Sequence, residues 1–495
     1  MAAIGKDEAR RALAARLDTD VSALAQLAGD YDAETRRRVA ANPHAPVAAL
    51  EDLAADPEPN VRVNVAGNAS TPPSLLERLA ADPVEQVRER VAHHEAAPVH
   101  VLGMLAEDAD EGVRRVIASR EDAPIQALRL LAADSEEWIR GFAAMNPVMP
   151  PDALQALADD EEEDVSRAAL RNPGIPASVL EALAGEANEN TRWDVAGNAN
   201  APAGVLEALA RDEVAPIRAH VAANPAASAE LLHALAADGE EAVRCSVVAN
   251  PAVPAELLAA LAADASMDVR KRVAEAGGVR AQDVQALSRD ASAVVRASVA
   301  DRADADGDTL SSLSGDKARS VRRHVAGNES TSPCDLGRLA RDDDAYVRVR
   351  VAANPSAGAD ALAVLAGDDD KGVRRAVAGN AAAPAAALDA LASDGDVYIR
   401  RGVAGNPGAS QRALALLAAD SDGDVRAAAL ANESFDMTRL LDAAVIGDAA
   451  AGRAAEGSAA SSPADEIRKF HELFQIGAIT QQEFEEAKTR LLASL

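Results

Sequence analysis

The stretch Val61–Gln86, VRVNVAGNASTPPSLLERLAADPVEQ, decides the fold. Val61 and Val65 stand four apart, which places both on one face of a helix. Ala66 and Gly67 follow, small enough for neighbouring backbones to approach closely. Asn68 ends this first helix: asparagine tolerates the left-handed conformation found at helix C-caps, and its side chain bonds nearby backbone groups. Pro72 and Pro73 open a second helix, where proline's fixed φ is favourable. Leu76 and Leu79 point inward, and Asp82 closes the unit ahead of a polar loop.

The same 26-residue pattern runs from about residue 9 to about residue 445 without insertion or deletion. A fixed period of this size predicts a solenoid, because one unit cannot bury its own apolar face and must stack on its neighbours. The second leucine recurs from Leu27 to Leu417, and the first departs once, at Val284. Columns held across units are structural, so function belongs in the positions that vary. The asparagine column (Asn42, Asn68, Asn146 and onward to Asn432) reads as a row of turn caps rather than a row of ligands, since buried turn backbone must be hydrogen-bonded. The arginine column runs from Arg36 to Arg426 and is broken at Ser166; an aspartate column (Asp56, Asp82, Asp108, Asp134, Asp160, Asp212 and onward) sits six residues before the next arginine. The two columns predict an ion-pair ladder between units; the alternative is an arginine row kept for an anionic partner.

Two places break the pattern. His94 and Arg120 replace asparagine in successive units, with His93 and His100 close by but no Cys or acidic partner at metal-ligand spacing. From Ala276 to Asp316 two units lose both Asn and Pro, with Ala276, Arg280, Arg302 and Asp306 in their places, which predicts a weak point or bend.

The net charge of −30 argues against a general binder of nucleic acid or anionic membrane. Cys245 and Cys334 lie far apart, fit a reducing cytoplasm, and cannot build a zinc or iron–sulfur site. The N-terminus lacks an apolar signal core and no run reaches transmembrane length, so no membrane insertion is expected. There is no phosphate-binding glycine loop, nucleophile elbow or HExxH. No enzyme activity and no cofactor are therefore expected.

Blocks such as Val347-Arg348-x-x-Val351-Ala352-x-Asn354-Pro355 and Leu362-x-x-Leu365-Ala366-x-Asp368 closely resemble the leucine-rich repeat variant family, over residues 1–446. The resemblance implies an all-α, right-handed superhelix of two-helix repeats, one helix α and one 3₁₀. The i,i+4 valines fit an α-helix; the i,i+3 leucines fit either type. The family is associated with an iron–sulfur module of clustered N-terminal cysteines, but no cysteine precedes Cys245, so that cofactor is not carried over. Residues 447–464 are rich in Ala, Gly and Ser and read as a flexible linker. In residues 465–495, Ile467, Phe470, Leu473 and Phe474 form one apolar stripe, and Phe484, Leu491 and Leu492 a second. This segment resembles the SHOCT (short C-terminal) domain, carried by Ile476-Gly477-Ala478-Ile479-Thr480 and Glu483-Phe484-x-x-x-Lys488. That resemblance implies a helical hairpin appended to larger bacterial proteins, mediating oligomerisation or recruitment. Ile467, Phe470, Phe474, Phe484 and Leu491 are its candidate contacts; the alternative is a tail that folds back on the solenoid.

Variable positions just after the arginine column carry Arg37, Arg38, Arg90, Arg115, Arg167, Lys271, Arg272, Arg323, Arg350, Arg375 and Arg401, a basic stripe at one solenoid angle. The bland account pairs these charges with the acids of the preceding loops. Aromatics are scarce, so their placement counts. Trp138, Tyr346 and Tyr398 close their units, and Phe142 and Trp193 stand at variable first-helix positions; beside arginine they are candidate anchors. Together these features predict a cytoplasmic, non-catalytic protein-interaction scaffold. The alternative is a nucleic-acid or polyanion binder using the basic stripe.

Overall fold

A computed structural model describes residues 6–186 and 188–435, together with Thr489. The described residues are all-α, without a strand. First helices begin at Ala33, Pro59, Glu85, Glu111 and so on to Gly423, and second helices run from Val21–Leu27 to Gln411–Ala418, in step with the 26-residue pattern. The chain forms two compact units divided between Pro254 and Ala255. Within each unit, first helices pack on the first helices of adjacent repeats: Ala33–Ala41 on Pro59–Ala66 in one, Arg319–Gly327 on Ala345–Ala353 in the other. The linker and C-terminal segment, with Ile467, Phe470, Phe474, Phe484 and Leu491, lie outside the described residues.

Both helices of the repeat are α, which corrects the expectation of a 3₁₀ helix. In Pro73–Leu79 the bonds span four residues, from Leu76 N–H to Pro72 O and from Ala80 N–H to Leu76 O. Three-residue bonds appear at the two ends: Leu75 N–H bonds Pro72 O at the entry, and Ala81 bonds Arg78 O and Asp82 bonds Leu79 O in the exit turn. Proline at the cap contributes no N–H to the first turn, so seven residues complete an α-turn pair before the chain tightens. The core is the predicted one: Val61, Val65 and Leu76 are fully buried and Leu79 is 2% exposed. Each such side chain contributes roughly 1.5–3 kcal/mol through removal from water.

The asparagines do more than cap a turn. Asn68 Nδ2 donates to Ala40 O at 2.7 Å and Asn42 O at 2.8 Å, both in the preceding repeat, while its Oδ1 accepts from Ser70 N–H at 2.9 Å. The pattern repeats, for instance from Asn224 to Ala196 and Asn198. The left-handed conformation expected at these positions is absent: Asn42 has φ −73° and ψ 122°, and no non-glycine residue described has positive φ. An extended exit aims the amide back at the preceding repeat, where two carbonyls need donors.

The arginine ladder exists with different partners from those expected. Arg62 grips the carboxylate of Asp82, twenty residues later, through Nε at 2.6 Å and Nη2 at 2.9 Å. What it takes from Asp56, six residues earlier, is the backbone carbonyl, at 2.7 Å. Each such arginine thus ties two successive aspartates, one by main chain and one by side chain. At the break, the Ser166 hydroxyl donates to Ala158 O instead.

The irregular units are largely repaired. Arg302 Nη1 donates to Ala274 O and Ala276 O, both at 2.7 Å, reproducing both asparagine bonds, while Asp304 holds the rest of the guanidinium. Arg120 with Asp122 does the same against Ala92 and His94. His94 keeps one of the two bonds to the preceding repeat, to Asn68 O, and its Nδ1 accepts from Ala96 N–H; His100 faces Glu77. The expected weak stretch therefore shrinks: Ala276 alone offers no side-chain donor, and Gly278, the one described residue with positive φ, at 73°, follows it.

Position seven also differs from expectation. It is exposed at Gly67 and Gly197 and half-buried at Gly327, and the atoms over these three belong to the side chain at position four of the next repeat, Arg90, His220 and Arg350, while the space over Gly379 and Gly405 is open. At Gly67, Gly197 and Gly327 the missing side chain makes room for a neighbour's side chain rather than for backbone.

Candidate functional site

The outer face of the first helices carries every candidate residue in the described region. Many of the basic groups are already neutralised. Arg37 and Arg38 both bind Glu34, lowering its carboxyl to about 2. Arg115 meets Glu89 at 3.3 Å, Lys271 meets Glu275 at 3.5 Å, and Arg401 meets Asp424 at 3.1 Å. Arg375 lies 5.5 Å over the ring of Tyr398, and Arg90 crosses Gly67. Arg272 is exposed. The stripe is therefore a set of separate places rather than one continuous cationic track.

In the first unit, neighbouring first helices Glu137–Met145, Glu163–Arg171 and Glu189–Gly197 bring four candidates together. Trp138 and Phe142 stand edge to face with centroids 6.4 Å apart. With Met145, 58% exposed, they line a groove of about 640 Å³ whose other wall holds Arg167 and Arg171 and whose rim holds Glu137, Glu162 and Asp164. Gly141 leaves the floor between the aromatics open. The two arginines are fixed by Asp194, a buried carboxylate 2.7 Å from Arg167 and 2.6 Å from Arg171. Arg171 also lies 5.4 Å over Trp193, which stacks on His220 at 3.8 Å. Burial lowers the His220 pKa, so the ring is neutral at pH 7. A rigid platform results: one carboxylate under two guanidiniums leaves a net positive wall opposite exposed apolar surface.

Met145, Arg171, Asp194 and His220 were missed by the sequence reading. The signal was there: position seven is small in most repeats, yet carries Met145 and Arg171 in consecutive ones.

In the second unit, Tyr346 is 70% exposed and separates two pockets, of about 390 and 300 Å³. Arg323 lines both, and Arg350 and His324 line the larger. Among the described residues there is no cluster of His, Cys, Asp or Glu suited to a metal ion, and no helix long and apolar enough to cross a membrane.

The architecture is that of an α-helical repeat solenoid. Residues 59–84 match the family model of the leucine rich repeat variant, and residues 465–492 that of the short C-terminal domain, so both resemblances are met. No curated protein matches the chain. Among solved structures, a leucine-rich repeat variant with a novel repetitive motif is 27% identical, over 45% of this chain and 87% of that one, at a TM-score of 0.36. Kap121p is 11% identical over 83% of this chain and 54% of its own length, at a TM-score of 0.32. Kap121p bound to Pho4p aligns over 99% of this chain and 52% of that one, at 12% identity and a TM-score of 0.26. This chain thus spans about half the length of Kap121p.

Proposed function

We propose that this protein is a non-catalytic scaffold of the bacterial cytoplasm that holds a protein partner on the outer face of its first helices, with residues 465–495 serving oligomerisation or recruitment. One observation carries this reading: the groove of Trp138, Phe142 and Met145 beside the arginine pair fixed by Asp194. Half-buried Trp138 and Phe142, with exposed Met145 beside them and guanidiniums opposite, are of the side-chain types that dominate protein interfaces. The repeat columns elsewhere are occupied by their own ladders and leave nothing for chemistry. Affinity capture from the native host, with the wild-type chain and with Trp138→Ala/Phe142→Ala, tests it. A partner retained by the wild type and lost by the variant supports the reading; no partner across a range of salt overturns it. The polyanion alternative predicts a low-salt gel shift with single- or double-stranded nucleic acid, falling steeply with salt. The carboxylates paired to Arg37, Arg38, Arg115, Arg167 and Arg401 weigh against it.

A further inference from the structure

Tyr346 opens the helix Ala345–Ala353, where its N–H is held by the Asp344 carboxylate at 2.9 Å and its ring stands clear of the outer face. Around it gather Arg319, Arg323, His324 and Arg350. Arg319 has Asp344 at 3.3 Å and His324 has Asp301 at 3.1 Å. Arg323 and Arg350 form no ion pair among the described residues, and both are exposed on the larger pocket. Arg350 rests across Gly327, in space that any side chain at 327 would take.

Two unneutralised guanidiniums beside a bare aromatic ring are an anomaly in a chain of net charge −30. A guanidinium is matched best by a carboxylate gripped through two N–H groups. The ring supplies a flat apolar face between them. The same placement, an arginine at position three and an aromatic 23 residues later, recurs in Arg115 with Trp138 and in Arg375 with Tyr398. Asp301 and Asp344 line the pockets and would repel a continuous phosphate backbone, whereas a short segment can place its carboxylates between them. We propose that Arg323, Tyr346 and Arg350 form a binding site for a short acidic peptide segment, with carboxylates on the two guanidiniums and an apolar side chain on the tyrosine ring. The proposal rests on the protein-binding reading above and names the chemistry of one partner segment.

The test is a fluorescence-polarisation titration of the full chain with a labelled peptide of alternating Glu and Leu, at low and physiological salt. Arg323→Gln and Arg350→Gln should each weaken binding about tenfold, as loss of a charge-paired contact does. Gly327→Ala, which displaces Arg350, should weaken it as well, while Arg211→Gln, at an exposed arginine that lines neither site, leaves it unchanged. Arg323 and Arg350 are exposed and Gly327 is half-buried, and circular dichroism checks that the variants fold. No peptide binding at low salt, equal binding by the variants, or tighter binding of a single-stranded oligonucleotide of equal charge would overturn the site. Affinity capture through the Trp138 groove does not use this peptide, so a silent titration removes this site and leaves the scaffold reading standing.

Discussion

Arg348 and Arg350 sit two residues apart on one helix and have opposite fates. Arg348 holds the carboxylate of Asp368 at 2.6 Å and the carbonyls of Asp342 and Asp343, and it is neutralised inside the seam. Arg350 crosses a glycine and ends beside Tyr346 with no carboxylate. Position in the unit, not residue type, decides whether an arginine is held in the seam or left without a carboxylate. Changes on the seam should cost stability, and changes on the outer face should cost binding alone.

The largest effect is expected in the core under the seam. Leu209→Ala, at a site 2% exposed, should cost roughly 2–5 kcal/mol. Hydrogen exchange should show adjacent repeats loosening first, because solenoid contacts run between neighbours; uniform loss of protection from end to end would contradict this. Next comes the asparagine ladder. Asn224→Ala strips donors from Ala196 O and Asn198 O and should cost roughly 1–3 kcal/mol for each carbonyl left bare, read by urea denaturation. Asn224→Arg paired with Ala226→Asp, copying Arg302 and Asp304, should recover part of that loss.

The third effect is a pH dependence. Arg348 holds the Asp368 carboxyl below its ordinary range against the opposing influence of burial, and Arg374, Arg400 and Arg218 do the same for Asp394, Asp420 and Asp238. A depressed folded pKa means stability that is complete above the unfolded value of about 3.9 and lost as pH falls through the folded one. Denaturation midpoints should therefore be flat from pH 7 to 5 and drop below pH 4. A midpoint unchanged at pH 3 would show that the ladder adds little. Smallest of all should be the outer face: Arg350→Gln should shift stability by under about 0.5 kcal/mol. Removing residues 447–495 should likewise leave helicity and melting nearly unchanged, while light scattering reports a smaller assembly or affinity capture loses the recruited partner.

The leucine and valine columns were legible because burial acts on every unit alike, so sixteen copies of the second leucine, Leu27 to Leu417, repeat one instruction. The partners of the polar columns were not. Asn68 bonds residues 28 and 26 positions earlier, and only stacking brings those carbonyls close. The same holds for Arg62, which passes over the carboxylate of Asp56, six residues away, for that of Asp82. Arg120 and Arg302 looked like losses because a guanidinium with an aspartate two residues on resembles an amide only in its bonding, not in its letters. On the outer face, Trp138, Phe142, Arg167 and Trp193 fall close together, whereas Arg37, Arg38 and Arg401 serve local carboxylates, a distinction that needs side-chain geometry.

The asparagine ladder has a direction. Every amide nitrogen of the described ladder reaches backward, to carbonyls of the preceding repeat, while its oxygen stays within its own turn and accepts from the N–H two residues on. Each unit is therefore a coupling piece with a plug on one side and a socket on the other. Such a piece can be multiplied or removed whole, because plug and socket travel together; gaining or losing a fraction of one would leave a plug facing the wrong atoms. The strict 26-residue metre is the trace of that rule, and a chain built this way changes length in whole steps.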